Sequence, residues 1–396
     1  MPTAAEDPVV IASYARTPMG GFQGALTPVK ATDLGATAVR AALERAKVQP
    51  DDVQQIFMGC VLPAGLGQAP ARQAGIAAGL PTHVEATTVN KMCGSGMQAA
   101  IMAHDALLAG SAEIIVAGGM ESMTNAPYVL TKHRGGARIG HDTMLDHMYT
   151  DGLEDAYDGK LMGAHAEDSA REYQFTRDMQ DAYAVESLTR ARRATETGAF
   201  QREIVPVSVQ HRKGVEVVDA DEQPMKADPA KIPTLRPAFS KDGTVTAANA
   251  SSISDGAAAL VMTRRSVAER LGLPVVAIVR SHAAHAHEPA KFTTAPVPAM
   301  QKALDKAGWT IEDVDLFEVN EAFAVVAMIA MRDLGIPHEK MNVHGGATAL
   351  GHPIGASGAR VLATLLSALE QRGGKRGLAS LCIGGGEATA MAVELV

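Results

Sequence analysis

Cysteine and aromatic residues are scarce in this sequence of 396 residues. Its three cysteines are Cys60, Cys93 and Cys382, and aromatic residues make up 4% of the chain. Three widely separated thiols exclude a disulfide framework and a cysteine-based zinc site, and they fit a protein of a reducing compartment. The sequence has no run of about 18 uninterrupted apolar residues, which argues against a membrane-spanning helix.

Strongly basic segments are also missing. Lys and Arg together number 36 against 44 Asp and Glu, which gives a formal charge of -8. This balance excludes nucleic acid and anionic membrane surfaces as partners. Residues 1–8 have neither the basic nor the apolar segment of a secretory signal, so we expect a cytoplasmic location.

The sequence contains an internal repeat. Residues 42–46 (ALERA) align with residues 303–307 (ALDKA) at an offset of 261, which is 303 minus 42. The turn at 93–96 matches the turn at 355–358, at an offset of 262, which is 355 minus 93. Alternating strand and helix patterns in both halves predict two similar α/β layers packed against each other.

The repeat divides the chain into three parts. The first half covers 1–121 and is completed by about 253–273, and the second half covers 274–396. Residues 122–252 form an insertion with a polar helix and a proline-rich stretch. Long insertions on a rigid scaffold commonly contain binding residues, so we expect ligand contacts there.

Cys93 lies in the stretch most suited to chemistry. It precedes Gly94-Ser95-Gly96 and a small-residue helical pattern, so we expect it at a helix N-terminus. The positive end of the helix dipole is expected to lower the pKa of its thiol, and Gly94 and Gly96 are expected to leave the backbone open to a substrate carbonyl. The alternative is that Cys93 is a small buried residue in a tight turn.

Three more polar residues occur at predicted strand ends or glycine-rich turns of the second half. Asn320 precedes an apolar helix, His352 lies between Gly351 and Pro353, and Cys382 precedes three glycines. Singly, each has a structural alternative as a helix cap, a loop residue or core filler. The repeat, however, gives the Cys93 turn and the 351–358 turn equivalent places in the two halves. Both turns are therefore expected to face the same interface between the halves. Two thiols, one imidazole and one amide without a metal-ligand set indicate acyl transfer.

These stretches resemble the motifs of the thiolase family. The resemblance rests on residues 90–96, 320–324, 345–358 and 382–386, in the right order, and it extends from residue 9 to the last residue. It implies an α/β fold of the thiolase-like five-layered α-β-α-β-α type, with two similar halves plus a loop domain for CoA binding and tetramerisation. It also implies a homotetramer built as a dimer of dimers.

The resemblance implies a role for each polar residue. Cys93 is the nucleophile that becomes acylated, and His352 takes its proton. Cys382 removes the α-proton of the second acetyl-CoA. Asn320 holds a water that binds the thioester oxygen together with His352, and the N–H groups of Cys93 and Gly384 form the other oxyanion hole.

The implied reaction is the reversible Claisen condensation of two acetyl-CoA to acetoacetyl-CoA and CoA, or thiolysis of a short 3-oxoacyl-CoA, with no cofactor and no metal. Alternatives are a β-oxidation thiolase for longer or 2-methyl-branched chains and a non-catalytic CoA-binding paralogue. A redox switch between Cys93 and Cys382 is a further possibility that the sequence leaves open.

The family's CoA contacts map onto the insertion. The matching positions are Leu153, Met162, Leu235, Phe239, Ala247 and Ser251. Three positions depart from the family pattern. Leu161 replaces a histidine beside the pantetheine, Phe292 replaces a methionine that limits the acyl pocket, and Glu387 with Ala388 replaces a polar-Gly pair.

Overall fold

A computed structural model describes residues 6–396 of the chain. Residues 1–5 lie outside the described residues. They make up most of residues 1–8, for which the sequence predicts no secretory signal. The strands are β1 Val9–Arg16, β2 Gly20–Gly21, β3 Gln55–Gly59, β4 Glu85–Val89, β5 Ile114–Ser122, β6 Tyr128–Val129, β7 Leu145–Asp146, β8 Val207–His211, β9 Gly214–Val218, β10 Ser254–Arg264, β11 Ala277–Ala286, β12 Leu316–Val319, β13 Arg376–Ile383 and β14 Glu387–Leu395. The α-helices are α1 Ala31–Ala46, α2 Pro70–Ala78, α3 Ser95–Leu108, α4 Met162–Glu172, α5 Arg177–Glu196, α6 Glu222–Lys226, α7 Arg265–Leu271, α8 Pro296–Ala307, α9 Ala324–Leu334, α10 Ala347–Leu350 and α11 Ser357–Arg372.

The two halves of the chain repeat the same order of elements. The first half runs β1, α1, β3, α2, β4, α3, β5 and β10, and the second runs β11, α8, β12, α9, α11, β13 and β14. A single parallel bridge between Phe317 and Met341 stands where the counterpart of β4 is expected. The repeat seen in the sequence therefore corresponds to a repeat of structure.

The strands of both halves join into one sheet. Its order is β4-β3-β5-β10-β1 in the first half and β11-β14-β13-β12 in the second, with parallel pairs at the outer ends and antiparallel pairs towards the junction. Strands β1 and β11 meet through two residue pairs, Val10 with Ile278 and Ile11 with Ala277. We expected two packed layers, and the structure adds that they share this edge.

Helices α3 and α11 lie between the two halves of the sheet. Both contact strands of each half, whereas α1 and α2 cover the outer face of the first half and α8 covers that of the second. Five layers result, in the order helix, sheet, helix, sheet, helix, and the predicted fold class is confirmed. Apolar residues of both sheets and of the two central helices form one shared core.

The starts of α3 and α11 touch backbone to backbone. A Cβ atom on Gly358 would lie 2.1 Å from the backbone N of Met97, and one on Gly96 would lie 2.7 Å from the backbone N of Ala359. Only glycine permits this approach. The turns that precede the two helices, which contain Cys93 and His352, are therefore held side by side.

The segment between β5 and β10 packs on the second half through a buried carboxylate. Glu321 accepts hydrogen bonds from the hydroxyls of Tyr183 (2.9 Å) and Ser187 (2.8 Å) of α5, and from Asn342 Nδ2 (2.8 Å). These bonds place α5 against the residues that follow β12. Within residues 6–396, no helix combines the length and the apolar character needed to cross a bilayer.

Candidate active site

Cys93 lies in a tight turn directly before α3. Met92 has a left-handed backbone conformation with φ of 46°. Ser95 Oγ closes the turn because it accepts from the Lys91 N–H at 2.9 Å and donates to the Met92 carbonyl at 2.6 Å. A Cβ on Gly94 would lie 2.3 Å from Ile383 Cδ1. Gly94 and Gly96 thus serve close packing, and their role in leaving the backbone open to a substrate carbonyl stays a prediction.

Burial raises the pKa of the Cys93 thiol to about 11. Hydrogen bonds from the N–H of Gly384 and from the N–H of Cys93 itself oppose this shift without cancelling it. The prediction of a lowered thiol pKa is therefore wrong. Although the Cys93 side chain is partly exposed to the cavity, desolvation by the surrounding protein outweighs the stabilisation of a thiolate at the helix N-terminus. The resting thiol is protonated and needs a base.

A chain of hydrogen bonds fixes the tautomer of His352. Arg360 is only a donor, so its bond to Asn320 Oδ1 (3.3 Å) directs Asn320 Nδ2 towards His352 Nε2 at 3.4 Å. His352 Nε2 then accepts, which leaves the hydrogen on Nδ1. Nδ1 donates to Ser357 Oγ at 2.6 Å, and that hydroxyl donates to the Pro353 carbonyl at 2.9 Å. The lone pair on Nε2, which accepts only this long contact from Asn320, is the one a general base requires.

His352 is neutral in the resting site. Burial lowers the pKa of its imidazole to about 3, and the nearby positive charge of Arg360 acts in the same direction. Moving a proton from Cys93 to His352 would create an ion pair inside the protein, in which each charge stabilises the other. Both groups therefore stay neutral in the resting site, until a reaction moves the proton from Cys93 to His352.

Cys382 is buried at the end of β13. Burial raises the pKa of its thiol well above the usual value, and the charge of a Cys93 thiolate raises it further. The two thiols are therefore close enough for the charge of one to shift the pKa of the other, although they come from different halves. An ion pair between Lys91 and Glu387 ties the Cys93 turn to the start of β14, just beyond Gly384. Glu387, a departure from the family pattern, is thus a partner of the Cys93 turn.

A cavity of about 330 Å³ opens onto Cys93, His352 and Gly384. Its other walls include these predicted contact residues: Leu153, Met162, Phe239, Ala247, Ser251 and Phe292, together with Leu161. Leu235 lines a neighbouring cavity that shares Ala247 with the first. Asn320 and Cys382 are outside both sets of lining residues and are 0% and 1% exposed. Cys93, His352 and most of the predicted contact residues, from all three parts of the chain, therefore surround one space, whereas Asn320, Cys382 and Leu235 are not among its lining residues.

Phe292 closes one side of the cavity in a cluster of aromatic rings. Its ring centroid lies 6.2 Å from that of Phe323 at an angle of 67°, and Phe239 lies 5.9 Å from Phe323 at 78°. Such edge-to-face contacts hold the rings in place. The width of the cavity at this point is therefore set by rigid side chains.

Comparisons with known proteins agree with this geometry. The family described as "Thiolase, N-terminal domain" matches residues 9–266, and the family described as "Thiolase, C-terminal domain" matches residues 273–395. The chain belongs to the thiolase family. It is similar to Acetyl-CoA acetyltransferase 2 of Arabidopsis thaliana, with 52% identity over 98% of this chain and 97% of that protein. It is also similar to the acetyl-CoA acetyltransferase of Chromobacterium violaceum, with 50% identity over 98% and 99%.

A solved structure has the same fold as this thiolase. The crystal structure of the Bacillus anthracis acetyl-CoA acetyltransferase superimposes with a TM-score of 0.96 and 38% identity, over 98% of this chain and 99% of that one. Both halves and the segment between them lie within the matched length. The similarity therefore covers the layers, the central helices and the cavity.

Sequence reasoning missed Glu121, a buried carboxylate that contacts the His352 turn and affects the pKa of Cys93. It accepts hydrogen bonds from the N–H groups of Val61 (2.9 Å), Leu62 (3.1 Å) and Gly355 (2.9 Å), the last in the turn after His352. Burial raises its pKa to about 7, and these bonds oppose the shift. The Gly-Gly-x-Glu pattern at 118–121 was a usable signal, because Glu387 follows the equivalent glycines in the second half.

Sequence reasoning also missed the supports of His352 and Asn320. Arg360 pairs with Glu318 at 2.9 Å while it orients Asn320, and Ser357 orients the imidazole. Both Arg360 and Ser357 are in α11 and fully buried. A charged arginine within an apolar helical pattern was the available signal, since such a residue is buried only with a partner.

Proposed function

We propose that the chain catalyses the reversible condensation of two acetyl-CoA molecules to acetoacetyl-CoA and CoA through an acyl-Cys93 intermediate. The observation that supports this most is that Cys93, His352 and the N–H of Gly384 meet at one cavity. The names of the similar proteins support acetyl-CoA as the substrate.

In the first half-reaction, Cys93 Sγ attacks the thioester carbon of acetyl-CoA while its proton moves to His352 Nε2. A bond from carbon to Cys93 sulfur forms, the bond to the CoA sulfur breaks, and His352 returns the proton to the CoA thiolate. The N–H groups of Cys93 and Gly384, which contact Sγ in the free enzyme, would donate to the acyl oxygen. Pre-oriented donors of this kind stabilise the developing oxyanion.

In the second half-reaction, the Cys382 thiol gives its proton to His352 Nε2, and the resulting thiolate takes an α-proton from another acetyl-CoA. The carbanion attacks the acyl carbon, so that a carbon–carbon bond forms and the bond to Cys93 sulfur breaks. Protonated His352 then passes its proton to the departing Cys93 sulfur, so both thiols and the imidazole return to their starting states. We assign to Asn320 a bound water that, with His352, donates to the thioester oxygen of the second substrate.

CoA would reach Cys93 through this cavity, and the insertion supplies part of the cavity wall. Leu153, Met162, Phe239, Ala247 and Ser251 line the cavity, which supports their assignment as CoA contacts. Leu235 lines the adjoining cavity and stays a predicted contact. Apolar walls with a few polar groups suit the pantetheine chain.

Phe292 is proposed to limit the acyl chain. Its ring is 2% exposed and faces the cavity beside Phe323. A short acyl group therefore fits best, in agreement with the names of the similar proteins. A β-oxidation thiolase for longer or 2-methyl-branched chains is the less favoured alternative, and thiolysis of 3-oxoacyl-CoAs of increasing length tests it.

We further propose a cytoplasmic homotetramer that acts in acyl-CoA metabolism, with residues 122–252 as its loop domain. Apolar side chains of this segment are unusually exposed: Tyr128 (64%), Leu130 (43%), Ile139 (99%) and Met144 (64%). Exposed apolar groups concentrated in one segment are typical of surfaces that bind another chain. Light scattering of the purified protein measures the assembly directly.

Peptide mapping after brief exposure to acetyl-CoA tests the central proposal. We expect one acetyl group per active chain, located on Cys93, and no acetylation in Cys93→Ser. Cys60→Ser is the matched control, since Cys60 is a buried thiol outside the cavity and its substitution should leave acetylation intact. Acetylation on another residue, or undiminished turnover of Cys93→Ser, would contradict the mechanism.

A further inference from the structure

Three side chains outside the cavity join helix α3 to strand β11. His104 and Asp105 are in α3, and His282 is in β11. His104 Nδ1 lies 3.1 Å from Asp105 Oδ1, and His282 Nε2 lies 2.9 Å from the same oxygen. The two nitrogen atoms are 3.1 Å apart. The three atoms form a nearly equilateral triangle with members from both halves of the chain.

Hydrogen bonds cannot satisfy all three edges of this triangle. Each ring nitrogen has either a hydrogen or a lone pair, and the carboxylate oxygen only accepts. If both nitrogens are protonated, two N–H groups oppose each other. If only one is protonated, the lone pair of the other nitrogen faces the lone pairs of the oxygen. One edge is repulsive in either case, whereas a cation attracts all three lone pairs at once.

The dimensions of the triangle match a metal-ligand set. Imidazole nitrogen and carboxylate oxygen bind transition metals at about 2.0–2.2 Å, so two ligands at right angles are about 3.0 Å apart. The observed edges are 2.9 to 3.1 Å. Two imidazoles and one carboxylate on one face are a familiar ligand set for first-row transition metals.

These side chains are open to solvent on one side. The two imidazoles are largely buried, and the Asp105 side chain is 60% exposed. Solvent therefore reaches the group from the side of Asp105, where water can complete the coordination.

We propose that His104, Asp105 and His282 form a binding site for a divalent first-row transition-metal ion. The ion links the N-terminal half, through α3, to the C-terminal half, through β11. The group lies about three helical turns from Cys93 along α3, so the site is structural and takes no part in acyl transfer.

Calorimetric titration of the full-length protein with Zn²⁺ tests the site, and the absorption spectrum of bound Co²⁺ provides a second readout. We expect His104→Gln and His282→Gln each to lose one bound ion per chain. His285→Gln is the matched control, because His285 is in the same strand but contacts Lys302 instead, and it should keep the ion. The melting temperature of the wild type should rise with the logarithm of free Zn²⁺.

A further variant separates loss of metal from loss of fold. Asp105→Asn changes a largely exposed side chain, so the protein should fold while its Zn²⁺ affinity falls by at least about tenfold. Any Zn²⁺ bound by cysteine thiols would be bound equally by the wild type and by every variant. The difference in bound Zn²⁺ between them therefore reports only the proposed site. Equal stoichiometry and affinity in the wild type, His282→Gln and Asp105→Asn would overturn the proposal. Absence of Zn²⁺ binding to the wild type at micromolar concentrations would also overturn it.

Discussion

Replacing Ser357 by alanine should slow acylation of Cys93 without unfolding the protein. Ser357 Oγ accepts the hydrogen of His352 Nδ1 at 2.6 Å and so favours the tautomer whose Nε2 is free to take a proton. The alanine variant leaves a buried N–H without an acceptor, at a cost of about 1–3 kcal/mol. The imidazole then loses its preference for the reactive tautomer by a similar amount.

This free energy corresponds to a fall of about 5- to 160-fold in the acylation rate, since each 1.36 kcal/mol is a factor of ten. Rapid-quench measurement of acetyl-enzyme formation isolates that step from the condensation. Ser367→Ala is the matched control, because Ser367 is a buried serine of the same helix that bonds to Gln371 and not to His352. An acylation rate for Ser357→Ala within twofold of that for Ser367→Ala would refute the tautomer argument.

The remaining predictions concern Glu121 and Phe292. Burial raises the pKa of Glu121 to about 7, above its unfolded value, so its contribution to stability is present at low pH and is lost as pH rises through about 7; the loss is about 3 kcal/mol. Glu121→Gln should therefore flatten the fall in melting temperature between pH 4.5 and about pH 7, the unfolded and folded pKa values of this carboxyl, and an unchanged slope would contradict the assignment. Phe292→Leu should raise kcat/KM for a longer or 2-methyl-branched 3-oxoacyl-CoA relative to acetoacetyl-CoA by about tenfold, and an unchanged ratio would show that another wall limits the chain.

Much of the fold could be predicted from the sequence because its signals were local and repeated. Strand and helix patterns occur in the same order in both halves, and the turns at 93–96 and 355–358 mark equivalent helix starts. The pairing of β1 with β11 could not be predicted, since it rests on only two residue pairs. No periodicity distinguishes an edge strand that is paired from one that is free.

The sequence singles out residues for the candidate site, but it does not determine their electrostatics. Cys93, His352, Cys382 and Asn320 stand in recognisable motifs, whereas the direction of the Cys93 pKa shift depends on how completely the fold excludes water. The tautomer of His352 likewise depends on Arg360, whose hydrogen bond to Asn320 joins residues 40 positions apart. Contacts of this kind, like that between His104 and His282 at a separation of 178, have no trace in local sequence.

The contact between the glycines of α3 and α11 also bears on how this protein can diverge. Because main-chain atoms meet there, the distance between the Cys93 turn and the His352 turn is fixed mainly by the backbone. Exchanges among apolar residues elsewhere in the central layer should therefore disturb this distance less than a change at these glycines. A single methyl group at Gly358 would instead push the two halves apart and separate the reacting atoms.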